Sequence, residues 1–163
     1  MSAALELQKT IYNKLKEHDF RVFDFPPEKN TPYPFVIIGD DMQLGNDLKN
    51  GEHIQIKTTI TTYTDYKGKM EIEKLNNSIM KILETINNLE SYKVVSIQNT
   101  SSFSFFDKEN EVMIGIIETN FKLIKTDYNK QEKEIRNIKT EITQQFANYI
   151  NFNLAETEEK GGE

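Results

Sequence analysis

The strictest pattern in this sequence is the alternation of residues 53–63, which read HIQIKTTITTY. Isoleucine or threonine occupies every even position from 54 to 62, whereas most odd positions carry longer polar side chains. Successive side chains of a strand point to opposite faces of a sheet. The pattern therefore predicts a strand with one face on a core and the other in water, as is typical of an antiparallel sheet.

Two segments change from this alternation to a helical period. Residues 70–89 repeat their apolar side chains at spacings of three and four, which predicts a helix with one buried face. That stripe consists of Ile72, Leu75, Ile79, Leu83, Ile86 and Leu89. Residues 4–17 predict an earlier helix, whose stripe consists of Ala4, Leu7, Ile11 and Leu15.

Shorter runs predict the remaining strands. Residues 21–25 end at two prolines, which cannot donate hydrogen bonds to a sheet, and residues 35–39 (FVIIG) form a compact apolar run. Residues 92–99 and 111–124 predict two late strands. The last of them is apolar on both faces, which favours a central or covered position, and its Gly115 indicates a bulge or a close approach.

The order helix, strands, helix, strands predicts an α+β fold, with a mostly antiparallel sheet and two helices packed on one face. A chain of 163 residues is long enough to build one such core. Only 37% of the residues are hydrophobic and 28% are charged, so we expect part of the chain to lie outside that core. We place the compact domain at residues 1–125.

Residues 126–163 are expected to form a helical extension and a charged tail. Apolar residues follow a heptad-like stripe on an otherwise polar helix, which requires a packing partner because such a helix is marginal alone in water. The candidates for partner docking are Ile135, Ile138, Ile142, Phe146 and Tyr149. The partner is either the chain's own domain or a neighbouring subunit, and the pattern does not choose between them. The final ETEEKGGE predicts a solvated or disordered tail.

Bulk composition excludes several classes of function. A net charge of -6 argues against tight wrapping of a nucleic acid, since that binding depends on lysine and arginine. The absence of cysteine excludes disulfides and thiolate chemistry, and His18 and His53 are too few to favour a zinc site. No apolar run approaches the ~18 residues of a membrane span, and the first residues do not resemble a secretion signal. We therefore expect a soluble, intracellular protein that contacts no membrane.

The strongest enzymatic alternative lies in the polar segment 40–52 and the strand after it. Asp40 or Asp41, followed by Gln55 and Lys57, resembles the magnesium site of restriction-type nucleases, in which carboxylates hold the metal and lysine stabilises charge. However, a neutral glutamine stands where a second carboxylate is expected. We assign no catalytic residue, no metal and no cofactor, and keep the magnesium-dependent nuclease as the alternative. An intracellular adaptor domain is a third possibility.

The aromatic residues of TSSFSFF could in principle stack nucleic-acid bases. Only Lys108 lies near Phe103, Phe105 and Phe106, and base-stacking surfaces normally include several basic residues. Packing in the core or in an interface is the favoured interpretation.

The order of these features resembles a known family. An amphipathic first helix is followed by YPFVIIGD, a polar segment, HIQIKTTITTY, a helix containing IEKLNNSIMKILE and two late strands. This order is similar to the tail terminator, or tail-completion, proteins of long-tailed bacteriophages (siphophages), including the lambda tail terminator and the head-to-tail joining proteins of Gram-positive phages. The resemblance covers roughly residues 5–123, and the helical extension from residue 129 lies outside it.

The resemblance implies a structural virion protein without enzymatic activity. Such a protein forms a homohexameric ring that caps the tail tube, ends tube polymerisation and joins the tail to the head connector. It would be assembled in the host cytoplasm and lie in the virion tail at the head-tail junction. DNA would pass through its lumen without specific binding.

In that setting the polar segment 40–52 is expected to be an assembly loop facing the tail tube protein, the lumen or a neighbouring subunit. Acidic residues in it could repel DNA phosphates and keep the duplex mobile. The candidate interface residues are Asp40, Asp41, Gln43, Leu44, Asn46, Asp47, Leu48 and Glu52.

Overall fold

The computed structural model describes residues 1–39, 42–46, 53–126 and 128–159. These residues form three helices and six strands. The helices are α1 (Ala3–Glu17), α2 (Lys69–Leu83) and α3 (Tyr128–Glu159). The strands are β1 (Val22–Phe23), β2 (Phe35–Ile38), β3 (Met42–Asn46), β4 (His53–Thr64), β5 (Tyr92–Asp107) and β6 (Val112–Lys125).

The strands build one sheet in the order β1-β2-β4-β6-β5, and β3 also pairs with β4. The β1–β2 pair is parallel and the other pairs are antiparallel. Side chains of α1 and α2 share one core cluster with β4 and β6. The predicted α+β class, with a mostly antiparallel sheet, is confirmed. The first strand was predicted over residues 21–25, which is too long, because β1 has only two residues.

The structure corrects the prediction that residues 40–52 are a loop, because Met42–Asn46 form strand β3. Strand β2 pairs with β4 only from Ile60 to Tyr63, and β3 continues along the same edge, with Met42 opposite Lys57. The backbone groups of β4 thereby gain partners, with a register shift between Gln43 and Gly45.

The alternation of β4 is confirmed. Ile56, Thr58 and Ile60 are buried, and the odd-numbered residues between them are half-buried. Strand β6 lies centrally, between β4 and β5. Its predicted burial on both faces is wrong, because only its odd-numbered residues from 113 to 123 are consistently buried. Helices α1 and α2 cover one face of the sheet, and the apolar residues of β6 on the other face are only half-buried.

Helix α1 has a defined beginning and end. The Ser2 side chain accepts a hydrogen bond from the Leu5 amide at 3.3 Å, which caps the helix. Its last turn closes through an amide hydrogen bond from Phe20 to the carbonyl of Leu15 at 3.1 Å, and Asp19 adopts a left-handed conformation with φ 62°. This is the Schellman arrangement of a helix C-terminus.

Helix α2 ends at Leu83, six residues before the predicted end at residue 89. Residues 85–88 read TINN, and threonine and asparagine favour turns more than helices. The chain therefore turns toward β5, with amide hydrogen bonds from Leu89 to the Tyr92 carbonyl at 2.7 Å and from Val94 to the Asn87 carbonyl at 2.9 Å. Ile86 and Leu89 are still buried, although they lie outside the helix.

Strand β5 is longer than predicted and includes the TSSFSFF stretch. Serine and threonine in this segment resemble a loop composition, but pairing with β6 continues from Tyr92 to Asp107. The register shifts twice, between Val94 and Ser96 and between Asn99 and Ser101. The residues of this segment have only a weak preference for a strand, and pairing with the long strand β6 makes them extended nevertheless.

A buried polar contact explains the glycine of β6. A Cβ atom at Gly115 would lie 2.4 Å from Thr62 Oγ1 and 2.6 Å from Asn76 Oδ1. Both Thr62 and Asn76 are fully buried, and the Thr62 hydroxyl donates to Asn76 Oδ1 at 2.7 Å. Of the two predicted roles for Gly115, the close approach is the one observed, and its pairing with Thr62 and Ser104 is regular.

The chain divides into two compact units, Met1–Thr126 and Asp127–Glu163. Helix α3 occupies most of the second unit. Helix α3 continues to Glu159, through the first four residues of the segment 156–163, and residues 160–163 lie outside the described part. The expectation of a solvated tail stays a prediction. Within the described residues, no helix combines the length and the apolar composition needed to cross a membrane.

Candidate functional site

The face of the sheet opposite α1 and α2, termed here the open face, carries an apolar patch that crosses four strands. Strand pairing aligns the patch residues in two neighbouring rows. Taken from β2 through β4 and β6 to β5, the first row is Phe35, Tyr63, Ile114 and Phe105, and the second is Ile37, Thr61, Ile116 and Phe103. We call these eight residues the open-face patch.

The two ends of the open-face patch differ in exposure. On the β2 side, Tyr33 stacks on Phe35 with ring centroids 5.1 Å apart, and Phe35 stacks on Tyr63 at 4.9 Å. On the β5 side, Phe103 and Phe105 stack on each other at 6.4 Å and remain 49% and 45% exposed. The β5 side therefore presents two large apolar side chains to the surroundings.

A cavity of about 280 Å³ lies beside the β2 side of the open-face patch, with Pro27, Tyr33, Tyr63 and Asp107 among its lining residues. Burial raises the pKa of the Tyr63 hydroxyl, and the nearby Asp107 carboxylate and Tyr33 raise it further. Tyrosine is neutral at physiological pH even without this shift, and Tyr63 serves here as an aromatic packing surface for Phe35.

Further along the strands, beyond the two rows of the open-face patch, the open face becomes polar. The Lys57 ammonium lies 2.6 Å from Glu118 Oε1, and the Ser101 hydroxyl donates to Glu118 Oε2 at 2.8 Å. These two hydrogen bonds, that of Lys57 first, lower the pKa of the Glu118 carboxyl. The Lys57–Glu118 pair joins β4 to β6, and the Ser101 hydroxyl adds β5 to the same contact.

This geometry bears directly on the nuclease alternative. Gln55 and Lys57 share the open face, as predicted, but the Lys57 ammonium is bound to Glu118. Asp40 and Asp41 lie outside the described residues. Among the described residues, no group of three or more histidine, aspartate or glutamate side chains is arranged to hold a metal ion.

Strand β5 forms one end of the sheet. Residues 87–89 bond to the start of its outer side, through the Tyr92 carbonyl and the Val94 amide. Within the described ranges no strand pairs with the outer side beyond that point, and a sheet edge of this kind can accept an added strand. Its two register shifts lie at residues 94–96 and 99–101, whereas Phe103 and Phe105 lie in the regular part. The most exposed end of the open-face patch thus adjoins a regular length of sheet edge.

The predicted docking stripe of α3 is exposed along its length. The relative exposure is 53% for Ile135, 55% for Ile138, 60% for Ile142, 65% for Phe146 and 66% for Tyr149. The assignment of this stripe as a docking surface stays a prediction.

The predicted assembly loop is only partly described. Gln43, Leu44 and Asn46 belong to β3, which pairs with residues 54–57 at the polar end of the sheet. Asp40, Asp41, Asp47, Leu48 and Glu52 lie outside the described residues. Their assignment to an interface is likewise still a prediction.

Sequence reasoning missed the open-face patch as a unit. Phe103, Phe105 and Phe106 were expected in a core or an interface, and their exposure shows that they do not belong to the core of this chain. Two signals pointed to the patch: the alternation of Phe103 and Phe105, and the apolar even-numbered residues of β6. Joining them required the register of the β5–β6 pair.

No protein-family model and no curated protein sequence matches this chain significantly. Solved structures do match it. A chain of the virion of a native gene transfer agent particle superimposes with a TM-score of 0.66 at 14% sequence identity, covering 76% of this chain and 99% of that one. The bacteriophage SPP1 gp17 protein gives a TM-score of 0.44 at 20% identity, covering 78% of this chain and 93% of that one. The first comparison establishes a shared fold, and the second superposition is too distant to add to it.

Proposed function

We propose that this chain is a structural virion protein, a tail terminator that forms a homohexameric ring at the junction of head and tail. The observation that carries the proposal is the fold that this chain shares with a chain of a gene transfer agent virion. The superposition covers 99% of that virion chain. In this role the ring caps the tail tube, ends its polymerisation and joins the tail to the head connector. DNA passes through its lumen without specific binding.

The open-face patch supports an assembly role over a solitary one. Half-exposed aromatic side chains that continue a row of apolar residues across a sheet are typical of surfaces that another protein covers. A cyclic ring uses heterologous contacts, in which two different surfaces of one subunit meet. The exposed end of the patch and the outer edge of β5 provide one such surface in the first unit.

In this proposal the polar segment 40–52 contacts the tail tube, the lumen or a neighbouring subunit. Its acidic residues, Asp40, Asp41, Asp47 and Glu52, would repel DNA phosphates if they faced the lumen. No catalytic step is proposed. The Lys57–Glu118 contact of 2.6 Å gives Lys57 a structural role in the sheet.

The proposal is tested first on particles. Virions purified from the strain that encodes this chain should contain it at about six copies per particle by quantitative mass spectrometry. A stop codon in its gene should leave heads and tails unjoined, or tails of uncontrolled length, in electron micrographs. Absence of the chain from purified virions would overturn the proposed function.

A variant then tests the open-face patch. Replacing Phe103 and Phe105 together by serine should abolish head-tail joining in a complementation assay, while the protein still unfolds cooperatively at a lower midpoint, because about half of each side chain is buried. Phe25, which is 64% exposed and outside the sheet, provides the matched control. If Phe25→Ser and the double variant complement equally well, the patch has no part in assembly.

A further inference from the structure

The cavity of about 280 Å³ at the β2 side of the open-face patch has one wall from the sheet and another from residues 26–31. Its sheet wall includes Phe35, Ile37 and Tyr63, which also belong to the open-face patch. Its volume lies below the ~300–1,000 Å³ that is typical of sites for drug-sized molecules. The cavity therefore suits a single side chain, and a protein that covered the open-face patch could place one there.

Hydrogen bonds fix the wall that lies outside the sheet. The Thr31 amide donates to the Glu28 carbonyl at 3.0 Å, and the Arg21 guanidinium donates to the carbonyl of Pro32. Directly after these residues, the Tyr33 ring stacks on the sheet. The wall is thus tied to itself, to the residue before β1 and to the sheet.

Two tyrosine rings line the cavity. Tyr33 and Tyr63 each stack on Phe35, with centroid distances of 5.1 Å and 4.9 Å, and each uses one ring face in doing so. The face of an aromatic ring is electron-rich and attracts a cation placed over it. The lining thus offers aromatic surface of the kind that binds ammonium and guanidinium groups.

A carboxylate adjoins these rings. Asp107 lines the cavity, and its Oδ1 accepts the amides of Glu109 and Asn110 at 3.0 Å and 3.4 Å. Its Oδ2 accepts a hydrogen bond from Asn110 Nδ2 at 2.7 Å. An ionised aspartate can accept about four hydrogen bonds. These three donors hold the carboxylate in a fixed orientation and leave it able to accept a further donor.

The charges of the lining favour a cation. Glu28 and Asp107 are acidic and Lys29 is basic, so the lining carries one more negative than positive charge. Among the ion pairs of the described residues, none includes any of these three side chains. An anion would be repelled by two carboxylates, and an apolar group would remove water from them without replacing its hydrogen bonds.

Of the two permanently basic side chains, arginine suits this lining better than lysine. A planar guanidinium stacks on aromatic rings and donates to a carboxylate at the same time, whereas an ammonium is a compact charge. A guanidinium is also more weakly hydrated, so it enters an aromatic site more easily. Arginine is, in addition, enriched where proteins contact one another.

We propose that this cavity binds an arginine side chain of a partner protein. The guanidinium lies against the rings of Tyr33 and Tyr63 and donates to the Asp107 carboxylate. The residues on either side of the arginine then lie on the open-face patch, because the cavity and the patch share Phe35, Ile37 and Tyr63. The inference does not rest on the proposed virion function.

The first test uses the full chain and a single blocked amino acid. N-acetyl-arginine methylamide should shift the aromatic NMR signals of Tyr33 and Tyr63 saturably, with half-saturation at millimolar concentration. The citrulline analogue has nearly the same shape and no charge, and it should bind about ten-fold more weakly, since it has neither the cation–π contact nor the ion pair. Equal affinities of the two probes, or shifts that do not saturate, would overturn the inference.

Variants locate the site of binding. Asp107→Asn keeps an acceptor oxygen for the turn and removes the charge, so affinity for the arginine probe should fall about five-fold. Asp24→Asn removes the same charge from an exposed residue that does not line the cavity, and affinity should stay unchanged. Equal losses in the two variants would show that the probe follows general surface charge, which contradicts the proposal. Tyr33→Leu should weaken binding as well, and thermal unfolding checks that each variant is folded.

Two peptides distinguish a partner's side chain from a small free cation. An arginine flanked by isoleucine should bind several-fold more tightly than an arginine flanked by serine, because apolar flanks can lie on the open-face patch. Equal affinities would assign the cavity to a free cation and overturn the partner proposal. A six-copy virion component whose cavity binds neither peptide would keep the proposed function and exclude this inference.

Discussion

The contact of Gly115 with Thr62 and Asn76 shows how a single position joins the helical layer to the sheet. Asn76 is a fully buried polar residue of α2, and it accepts the hydrogen bond of Thr62 from β4. Gly115 of β6 leaves the space in which these two side chains meet. The sequence indicated a bulge or a close approach at this glycine. Asn76 gave no comparable signal, since a polar residue within an amphipathic helix is normally assigned to the solvent-exposed side.

Gly115→Ala should destabilise the protein by roughly 1–3 kcal/mol, because its new methyl group would overlap Thr62 and Asn76 in a packed core. Urea unfolding followed by circular dichroism measures the change. In an Asn76→Ala background the added cost of Gly115→Ala should be smaller, since one of the two obstructing side chains is gone. Equal costs in both backgrounds would show that Asn76 does not restrict this position.

At the scale of helices and strands, sequence patterns succeeded where one face is covered by a core. The stripe of α1 and the alternation of β4 each reflect burial on one side, so they predicted the right element and the right face. The errors lie where tertiary pairing decided the outcome. Strand β3 forms because β4 extends beyond β2, and β5 continues through a serine-rich stretch because β6 lies beside it.

The end of α1 gives a prediction at this scale. Asp19 holds a left-handed conformation with φ 62°, which glycine adopts without steric cost and other residues do not. Asp19→Gly should therefore stabilise the protein by about 0.5–1 kcal/mol, with part of the gain offset by the greater freedom of glycine in the unfolded chain.

Thermal unfolding of Asp19→Gly and Asp19→Val tests this interpretation. The valine variant should be less stable than the parent, because a β-branched residue fits the left-handed region poorly. Loss of stability in Asp19→Gly would mean that the aspartate side chain contributes more than its backbone strain costs.

At the scale of the whole molecule, the candidate surfaces differ in how far the sequence could reveal them. The stripe of α3 is local and could be predicted from spacing alone, whereas its partner could not. The open-face patch joins residues as distant in sequence as Phe35 and Phe105, so it becomes visible only when the strand order and register are known. Periodicity shows which side of a strand is apolar, but not which strands lie beside it.

The division of the chain into two units leads to a final prediction. All buried hydrophobic side chains among the described residues lie between Ala3 and Leu123, within the unit Met1–Thr126. A chain ending at Thr126 should therefore fold on its own, and its thermal unfolding midpoint should lie within a few degrees of that of the full chain.

The matched control is a chain that ends at Asn110 and lacks β6. Because β6 lies between β4 and β5 and contributes Ile117, Phe121 and Leu123 to the core, this shorter chain should not fold cooperatively. Differential scanning calorimetry and the dispersion of amide signals in NMR spectra distinguish the two. A chain ending at Thr126 that unfolds without a cooperative transition would show that α3 contributes to the stability of the first unit, and the stripe of α3 would then have a partner within its own chain.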